Sequence, residues 1–319
     1  MVAMPAEKLT GYSVADIGHH PIILADLRET EHSYWLKLRE SYLGASEVAA
    51  ALGLNPYKSP LRLYLDKMGQ AEDLSDNEHV EFGIQMEAPI RKWFGKRFAT
   101  AEGVEVKVQE YPYTLRHPDI EFLSASPDGL IEHPGHGIGL IEIKTASERM
   151  WRDWEGDNLP DMYYLQIQTQ LCVTGLNYAY IVALVGKKLL WKYIPRNDEV
   201  ITAMVEQASK FWYDHVLAKV PPAPVGLSSD TDALKLLYPE PTGDVVQLHH
   251  LQEDYDRYKE LKKQEKELGL ETEAIKQRFM AEMGTAETAL VGKKKATWRW
   301  QEGSTYTVER KPGRTFRIY

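Results

Sequence analysis

The sequence predicts a mixed α/β (α+β) chain, with a central mixed β-sheet flanked by helices and a C-terminal extension that is helical plus a little β. Three observations predict it. Short β-like runs cluster at 104–109, 111–116, 121–125, 129–133 and 139–145, and again at 178–185 and 189–194. Helical runs lie before, between and after them; the clearest carries Phe82, Met86, Ile90 and Phe94 at i, i+4 spacing. Pro221, Pro222, Pro224, Pro239 and Pro241 then break the pattern ahead of a long polar helix and a basic tail.

Taken in order, residues 1–29 show no clear periodicity, and 31–42 read as a helix with Tyr34, Leu38 and Tyr42 on one side. Ser46 reads as the N-cap of a short alanine-rich helix that Gly53 ends. Asn55-Pro56 marks a turn, and 60–68 and 79–98 read as helices. After the central strands, 161–174 is helical and closed by Gly175. The Gly186-Lys187-Lys188 turn joins the strands at 178–185 and 189–194, and a helix covers about 198–217. This gives a first domain over 1–219, a Pro-rich linker or arm over 220–248, and a C-terminal part over 249–319. That last part begins with a coiled-coil candidate at 249–284, where Leu251, Tyr255, Tyr258, Leu268, Ile275, Phe279 and Met283 keep 3–4 spacing. Glu265 and Thr272 interrupt its stripe and Gly269 is a candidate break. The last 35 residues read as basic and strand-like, in ATWRW, STYTVER and TFRIY.

Composition bounds the function. With 319 residues, 43% hydrophobic and 27% charged, the chain has the make-up of an ordinary globular protein, with room for roughly two domains. One cysteine, Cys172, excludes a disulfide framework and a multi-cysteine metal site, and a reducing cytoplasm is the expected compartment. No apolar run approaches the ~20 residues of a membrane span, and the N-terminus lacks a signal-peptide core. The net charge of −9 argues against a protein that coats nucleic acid, yet residues 285–319 carry a net of +5. Only the surface that meets phosphates has to be positive.

Chemistry concentrates in residues 121–147, EFLSASPDGLIEHPGHGIGLIEIKTAS. Pro134-Gly135-His136-Gly137 is a turn between two apolar runs, so a β-hairpin is expected. Centred near His136, it sets Asp128 opposite Lys144 and Leu130 opposite Glu142. Side chains alternate along a strand. Asp128, Glu142 and Lys144 therefore share one face, and Ile131, Ile141 and Ile143 enter the core from the other. Two carboxylates close together need a cation. Lys144 supplies part of that charge, and a hard divalent ion held through oxygens would supply the rest. Glu-x-Lys by itself says little: Glu105/Lys107 and Glu260/Lys262 repeat it on an expected strand face and a charged helix. The context, Ser-Pro-Asp-Gly, then the hairpin, then Glu-Ile-Lys, is what distinguishes this copy.

Ser126-Pro127-Asp128-Gly129 followed by Glu142-Ile143-Lys144 resembles the signature of the PD-(D/E)XK nucleases. More narrowly, the chain is similar to the YqaJ-type viral recombinases, the group that contains phage lambda exonuclease. Gly44-Ala45-Ser46-Glu47-Val48, the helix start from Gly83 to Glu87, and Tyr163-Tyr164-Leu165-Gln166-Ile167-Gln168 extend the resemblance over about 34–213. It implies a restriction-endonuclease-like fold. Asp128 and Glu142 would be metal ligands with the backbone carbonyl of Ile143, and Lys144 would orient or activate the water. Glu87 would add a carboxylate from its helix. Arg39, Ser46, Ser126 and Gln166 would cradle a DNA 5′-phosphate, which suits the planar fork of arginine and the free N–H groups of a helix start. Mg²⁺ would be the cofactor, with Mn²⁺ as a substitute.

The resemblance further implies a metal-dependent deoxyribonuclease acting on double-stranded DNA ends, 5′→3′, leaving 3′ overhangs for single-strand annealing recombination. A phage-type annealing protein as partner, a trimeric ring as homo-oligomer, and a bacterial host cytoplasm with phage or prophage origin come with it. The alternatives are an endonuclease or repair nuclease of the same fold, or a non-catalytic DNA-end or partner-binding module. On helix 161–174, Tyr163, Gln166 and Gln170 lie at i, i+3, i+7 beside the apolar stripe of Tyr164, Ile167 and Leu171, so a polar face is expected to meet a site. Cys172 reads as core. His19-His20 and His249-His250 lack metal-ligand spacing, and His133 and His136 read as loop residues. Lys293-Lys294-Lys295 ahead of Trp298-Arg299-Trp300 reads either as a DNA or partner contact or as a solvated strand edge.

Overall fold

The computed structural model describes residues 19–71, 77–305, 307 and 314–318. The chain forms two compact units, Met1–Leu237 and Tyr238–Tyr319. The first unit opens with β1 (Ile22–Asp26), α1 (His32–Glu40), β2 (Leu43–Gly44), α2 (Val48–Ala51) and α3 (Pro60–Leu65). Then come α4 (Glu78–Glu102), β3 (Lys107–Gln109), β4 (Tyr113–Arg116), β5 (Leu123–Ala125), β6 (Gly129–His133) and β7 (Gly137–Ala146). It ends with α5 (Trp151–Trp154), α6 (Asp161–Thr174), β8 (Tyr178–Val185), β9 (Lys188–Pro195), α7 (Asp198–Lys210) and α8 (Ser228–Leu237).

Local chemistry sets the helix ends. The Ser59 side chain accepts from the Arg62 N–H and Pro60 fills the first turn of α3, while Asn77 accepts from the N–H groups of His79 and Val80 to start α4. Helix α6 stops where Gly175 takes φ 72°, a conformation costly for a residue with a Cβ, and its N–H returns to the Leu171 carbonyl.

The central sheet has strand order β3-β6-β7-β8-β9, mixed because β7 and β8 run parallel while the other neighbours are antiparallel. A parallel pair needs a crossover, and α5 and α6 provide it. One sheet face packs Ile131, Ile141, Ile143 and Val182 against Ile90, Phe94 and Phe98 of α4. The other packs Leu130, Leu140, Ala179 and Ile181 with Ile167 and Leu171 of α6, in a core that also holds Cys172. A second sheet, β1-β4-β5-β2, lies in the same unit. The mixed α/β architecture with helix-flanked sheets is the one the strand and helix patterns predict.

The structure departs from expectation at particular places. The hairpin turns about one residue earlier than its expected centre at His136, at Gly135, pairing His133 with Gly137 and Gly129 with Ile141, so each residue's partner moves by two. A shift of two keeps every side chain on its expected face. Strand β1 lies where no periodicity shows, because among the described residues it pairs with β4 alone and is irregular between Ile23 and Ala25. Ser46 is not an N-cap: it sits exposed inside a tight helical turn at Ala45–Glu47 that leads into α2. Helix α8 forms amid the prolines, nucleated by Asp230, whose Oδ2 accepts from Val225, Gly226 and Leu227 at 2.8–3.1 Å. It is tied to the start of α3 by Ser59 N–H donating to Ser229 Oγ.

In the second unit, α9 (Gln252–Met283) runs unbroken through Gly269, followed by β10 (Thr288–Val291) and β11 (Lys294–Thr297), an antiparallel hairpin. Of the three strand-like stretches expected there, only the start of ATWRW joins a strand; part of STYTVER and the last residue lie outside the described residues. Among the described residues, no helix is long and apolar enough to cross a membrane.

Two glycines make opposite predictions. A Cβ at Gly129 would stand 2.6 Å from the Gln109 carbonyl oxygen. Gly129→Ala should therefore lower unfolding free energy in urea by about 1–3 kcal/mol. Gly269 has nothing within 4 Å of an added Cβ. Gly269→Ala should raise the thermal stability of α9, followed by circular dichroism, by about 0.5–1 kcal/mol.

Candidate active site

The residues expected to be catalytic, metal-binding or phosphate-binding open onto one cleft of about 870 Å³ in the first unit. Arg39, Ser46, Glu87, Ser126, Asp128, Glu142, Ile143, Lys144 and Gln166 line it, with Arg91 and Gln170. Its floor is the end of the β6–β7 hairpin, where Asp128 precedes β6 and Glu142 and Lys144 lie two apart on β7. Asp128 Oδ2 accepts from the Ile143 N–H at 2.6 Å, which fixes the carboxylate beside the following strand. The Asp128 carbonyl accepts from Arg91 Nε of α4 at 3.1 Å, and this arginine also lies against Gly129.

Glu142 is buried, 2% exposed, and three donors surround it. Lys144 Nζ and Gln166 Nε2 reach Oε1, each at 2.5 Å, and Gln170 Nε2 reaches Oε2 at 2.6 Å. The polar face of α6 therefore meets the site. Gln166, which the resemblance directs to a phosphate, is engaged with Glu142. Gln170, to which the resemblance gives no role, holds the second carboxylate oxygen. Tyr163, from the same helix, places its ring 5.2 Å from Lys144 Nζ.

The cluster carries more negative charge than its one close lysine offsets. Burial pushes the Asp128 carboxyl well above its ordinary range, and Glu142 and Glu87 push it further, against the pull of Lys144 and the Ile143 N–H. Glu87 is likewise raised by burial and by Glu142, with Arg91 and Lys144 opposing. Burial acts to lower the Lys144 ammonium, but Glu142 and Asp128 outweigh it and raise the group. Such a site gains from another cation. Among the described residues, no three His, Cys, Asp or Glu side chains converge closely enough to ligate an ion by themselves. The donor chemistry nevertheless fits a hard divalent cation: Asp128 and Glu142 carboxylate oxygens, the Ile143 carbonyl, and water to complete the shell.

The wall opposite is built on Glu47, a residue the sequence shows only as part of a motif. Buried beneath Arg39, its carboxylate meets Arg39 Nη2 at 3.0 Å and Lys67 Nζ at 2.6 Å, and accepts from the Gly44 N–H at 2.9 Å. Lys67 also donates to the Arg39 and Tyr42 carbonyls. Arg39 stacks on the Trp35 ring at 4.9 Å. Ser126 shares a hydrogen bond with Thr114 at 3.0 Å. Burial would raise Glu47, but Lys67 and Arg39 outweigh it and hold the carboxyl at about 2. Burial lowers Lys67 despite Glu47.

Fold and cleft together define a mixed α/β protein with an oxygen-rich, lysine-bearing site on the central strand of its main sheet. Residues 34–177 match the family model of the YqaJ-like viral recombinase domain. The uncharacterized protein YqaJ of Bacillus subtilis (strain 168) is 32% identical over 286 residues, covering 87% of this chain and 86% of its own. The chain belongs to the YqaJ-like viral recombinase family. An uncharacterized protein of Acanthamoeba polyphaga mimivirus is 33% identical over 159 residues, 47% of this chain and 28% of its own. The crystal structure of an alkaline exonuclease (LHK-Exo) from Laribacter hongkongensis aligns with a TM-score of 0.46 and 22% identity, over 64% of this chain and 99% of that one.

The Glu47 cluster gives a pH-dependent prediction. A carboxyl held at about 2 and free at 4.5 contributes stability above pH 4.5 that is lost as pH falls toward 2. Glu47→Gln leaves Lys67 buried without its counter-charge, so at pH 7 it should unfold in urea about 3–5 kcal/mol more easily than wild type. The gap between the two should narrow between pH 4.5 and 2.

Proposed function

We propose that the chain is a divalent-metal-dependent deoxyribonuclease that hydrolyses phosphodiester bonds at the ends of linear double-stranded DNA. The observation that carries this reading is the meeting of Asp128, Glu142, the Ile143 peptide and Lys144 where β6 begins beside the central strand β7, in a chain of the YqaJ-like viral recombinase family.

Asp128, Glu142 and the Ile143 carbonyl would hold Mg²⁺, with Mn²⁺ as a substitute and Glu87 as a further carboxylate. When bound, the ion polarises the scissile phosphate and makes a bound water more acidic. Lys144 steadies the attacking water or the anion that develops on the phosphate. Gln166 and Gln170 hold Glu142 in one orientation, so its oxygens do not have to be ordered during the reaction. Arg39, with Ser46 and Ser126, offers a fork and hydroxyls to a terminal 5′-phosphate. Gln166, which gives one amide N–H to Glu142, has its second N–H left to offer to the same phosphate. A phosphate held there sets 5′→3′ polarity, release of mononucleotides and a 3′ overhang. The family favours a trimeric ring that encloses the duplex and a single-strand annealing protein that takes the overhang.

The test uses duplex DNA labelled at one 5′ end, with Mg²⁺ or EDTA, beside covalently closed DNA. Wild type should release labelled mononucleotide from the linear duplex only with Mg²⁺ and leave closed DNA intact. Glu142→Ala should slow release about a thousandfold or more, since a lost metal ligand removes several kcal/mol of transition-state stabilisation. Lys144→Ala should slow it about a hundredfold or more. No cleavage of either DNA by folded wild type, with Mg²⁺ or Mn²⁺, would refute the nuclease. Cleavage of closed DNA would refute the exonuclease.

A further inference from the structure

We infer that the C-terminal hairpin and the stretch that follows it bind single-stranded DNA. The inference rests on the nuclease reading for its biological sense, since such an enzyme leaves a single strand behind, but its structural basis lies wholly in the second unit.

Strands β10 and β11 pair from Thr288–Thr297 to Val291–Lys294, and the ladder extends one step further, where the Trp298 N–H donates to the Glu287 carbonyl at 2.9 Å. Lys293 stands in the tight turn, with Lys294 and Lys295 directly after it, all exposed. Beyond the ladder, Trp298 is 46% exposed and Trp300 87% exposed, with exposed Arg299 between them. From Lys293 to Gln301 there are four cations and no acid. Residues 285–319 hold a net of +5 in a chain whose total is −9, so the charge is local.

This combination selects its ligand. The alternation of cation and indole matches a polymer that alternates phosphate and base. Two residues of extended chain span about 7 Å, enough to present each ring to a separate base. Stacking on an indole requires a base whose face is free, which a single strand offers and the interior of a duplex does not. A solvated strand edge would explain the lysines but gives no reason for two indoles in water beside them. An acidic protein surface would suit the cations, yet it lacks the flat faces that the rings would cover.

The test uses the full chain in EDTA, so that no DNA is cut, with fluorescein-labelled oligo(dT) and a blunt duplex of equal length, read by anisotropy across a salt series. Wild type should bind oligo(dT) more tightly than duplex. The double variant Trp298→Ala/Trp300→Ala should lose roughly tenfold or more of that affinity. Trp300→Phe, which keeps an aromatic face, should retain most of it. Replacing Lys293, Lys294 and Lys295 by alanine should flatten the slope of log affinity against log salt by about 2, the yield of three phosphate contacts on a single strand. Each variant should melt as wild type does and cut short linear duplex in Mg²⁺ at the wild-type rate. Undiminished oligo(dT) binding by the double tryptophan variant, or wild-type preference for duplex, would overturn the inference. Binding with this pattern by a protein that cuts nothing would leave the inference standing and remove the nuclease reading instead.

Discussion

Taking a carboxylate out of water costs several kcal/mol unless hydrogen bonds or a charge replace its hydration, and Glu142 meets that demand in a way that shapes the whole first unit. Its donors come from two elements, Lys144 on β7 and Gln166 and Gln170 on α6. They can reach it only if α6 lies across the sheet with its amide face down. The same helix buries Ile167 and Leu171 in the core, so its position is fixed twice over, once by apolar packing and once by the carboxylate. Asp128 is placed with equal economy, its side chain bonded to the Ile143 N–H and its carbonyl to Arg91 of α4. The cleft is thus held from both faces of the sheet.

A second buried carboxylate repeats the device on the opposite wall. Glu47 sits on Lys67, Arg39 and the Gly44 N–H, and Lys67 spends its remaining donors on the carbonyls of Arg39 and Tyr42. The guanidinium of Arg39 is therefore held between an acid and the Trp35 ring rather than left to sample solvent. An arginine so restrained loses less freedom when it meets an anion than one on an open surface.

Much of this was legible in the residues. The spacing of Tyr163, Gln166 and Gln170 separates a polar face from the apolar stripe of α6, and the observed helix keeps the expected bounds of 161–174. The alternation in β7 places Glu142 and Lys144 away from Ile141 and Ile143, and the sheet obeys it even though the pairing register lies two residues from the expected one. Some of what could not be read depends on contacts distant in sequence. Nothing local marks Glu47 as buried beneath Lys67, twenty residues away. Helix α8 escapes a pattern search because Asp230 organises it through three N–H groups in a stretch punctuated by Pro and Gly. Strand β1 escapes because half-buried edge pairing with an irregularity leaves no clean period.

The parallel pairing of β7 with β8 has a consequence for the order in which the molecule comes into being. The β6–β7 hairpin closes over a short loop, but the amides that surround Glu142 arrive 24 and 28 residues later. They can dock only as the crossover folds back onto the sheet. Closing that longer loop costs more chain entropy than closing the hairpin. A chain emerging from the ribosome can therefore form the hairpin while Glu142 still faces water, and the organised carboxylate cluster dates from the moment the crossover seats. Assembly of the cleft and completion of the central sheet are one event.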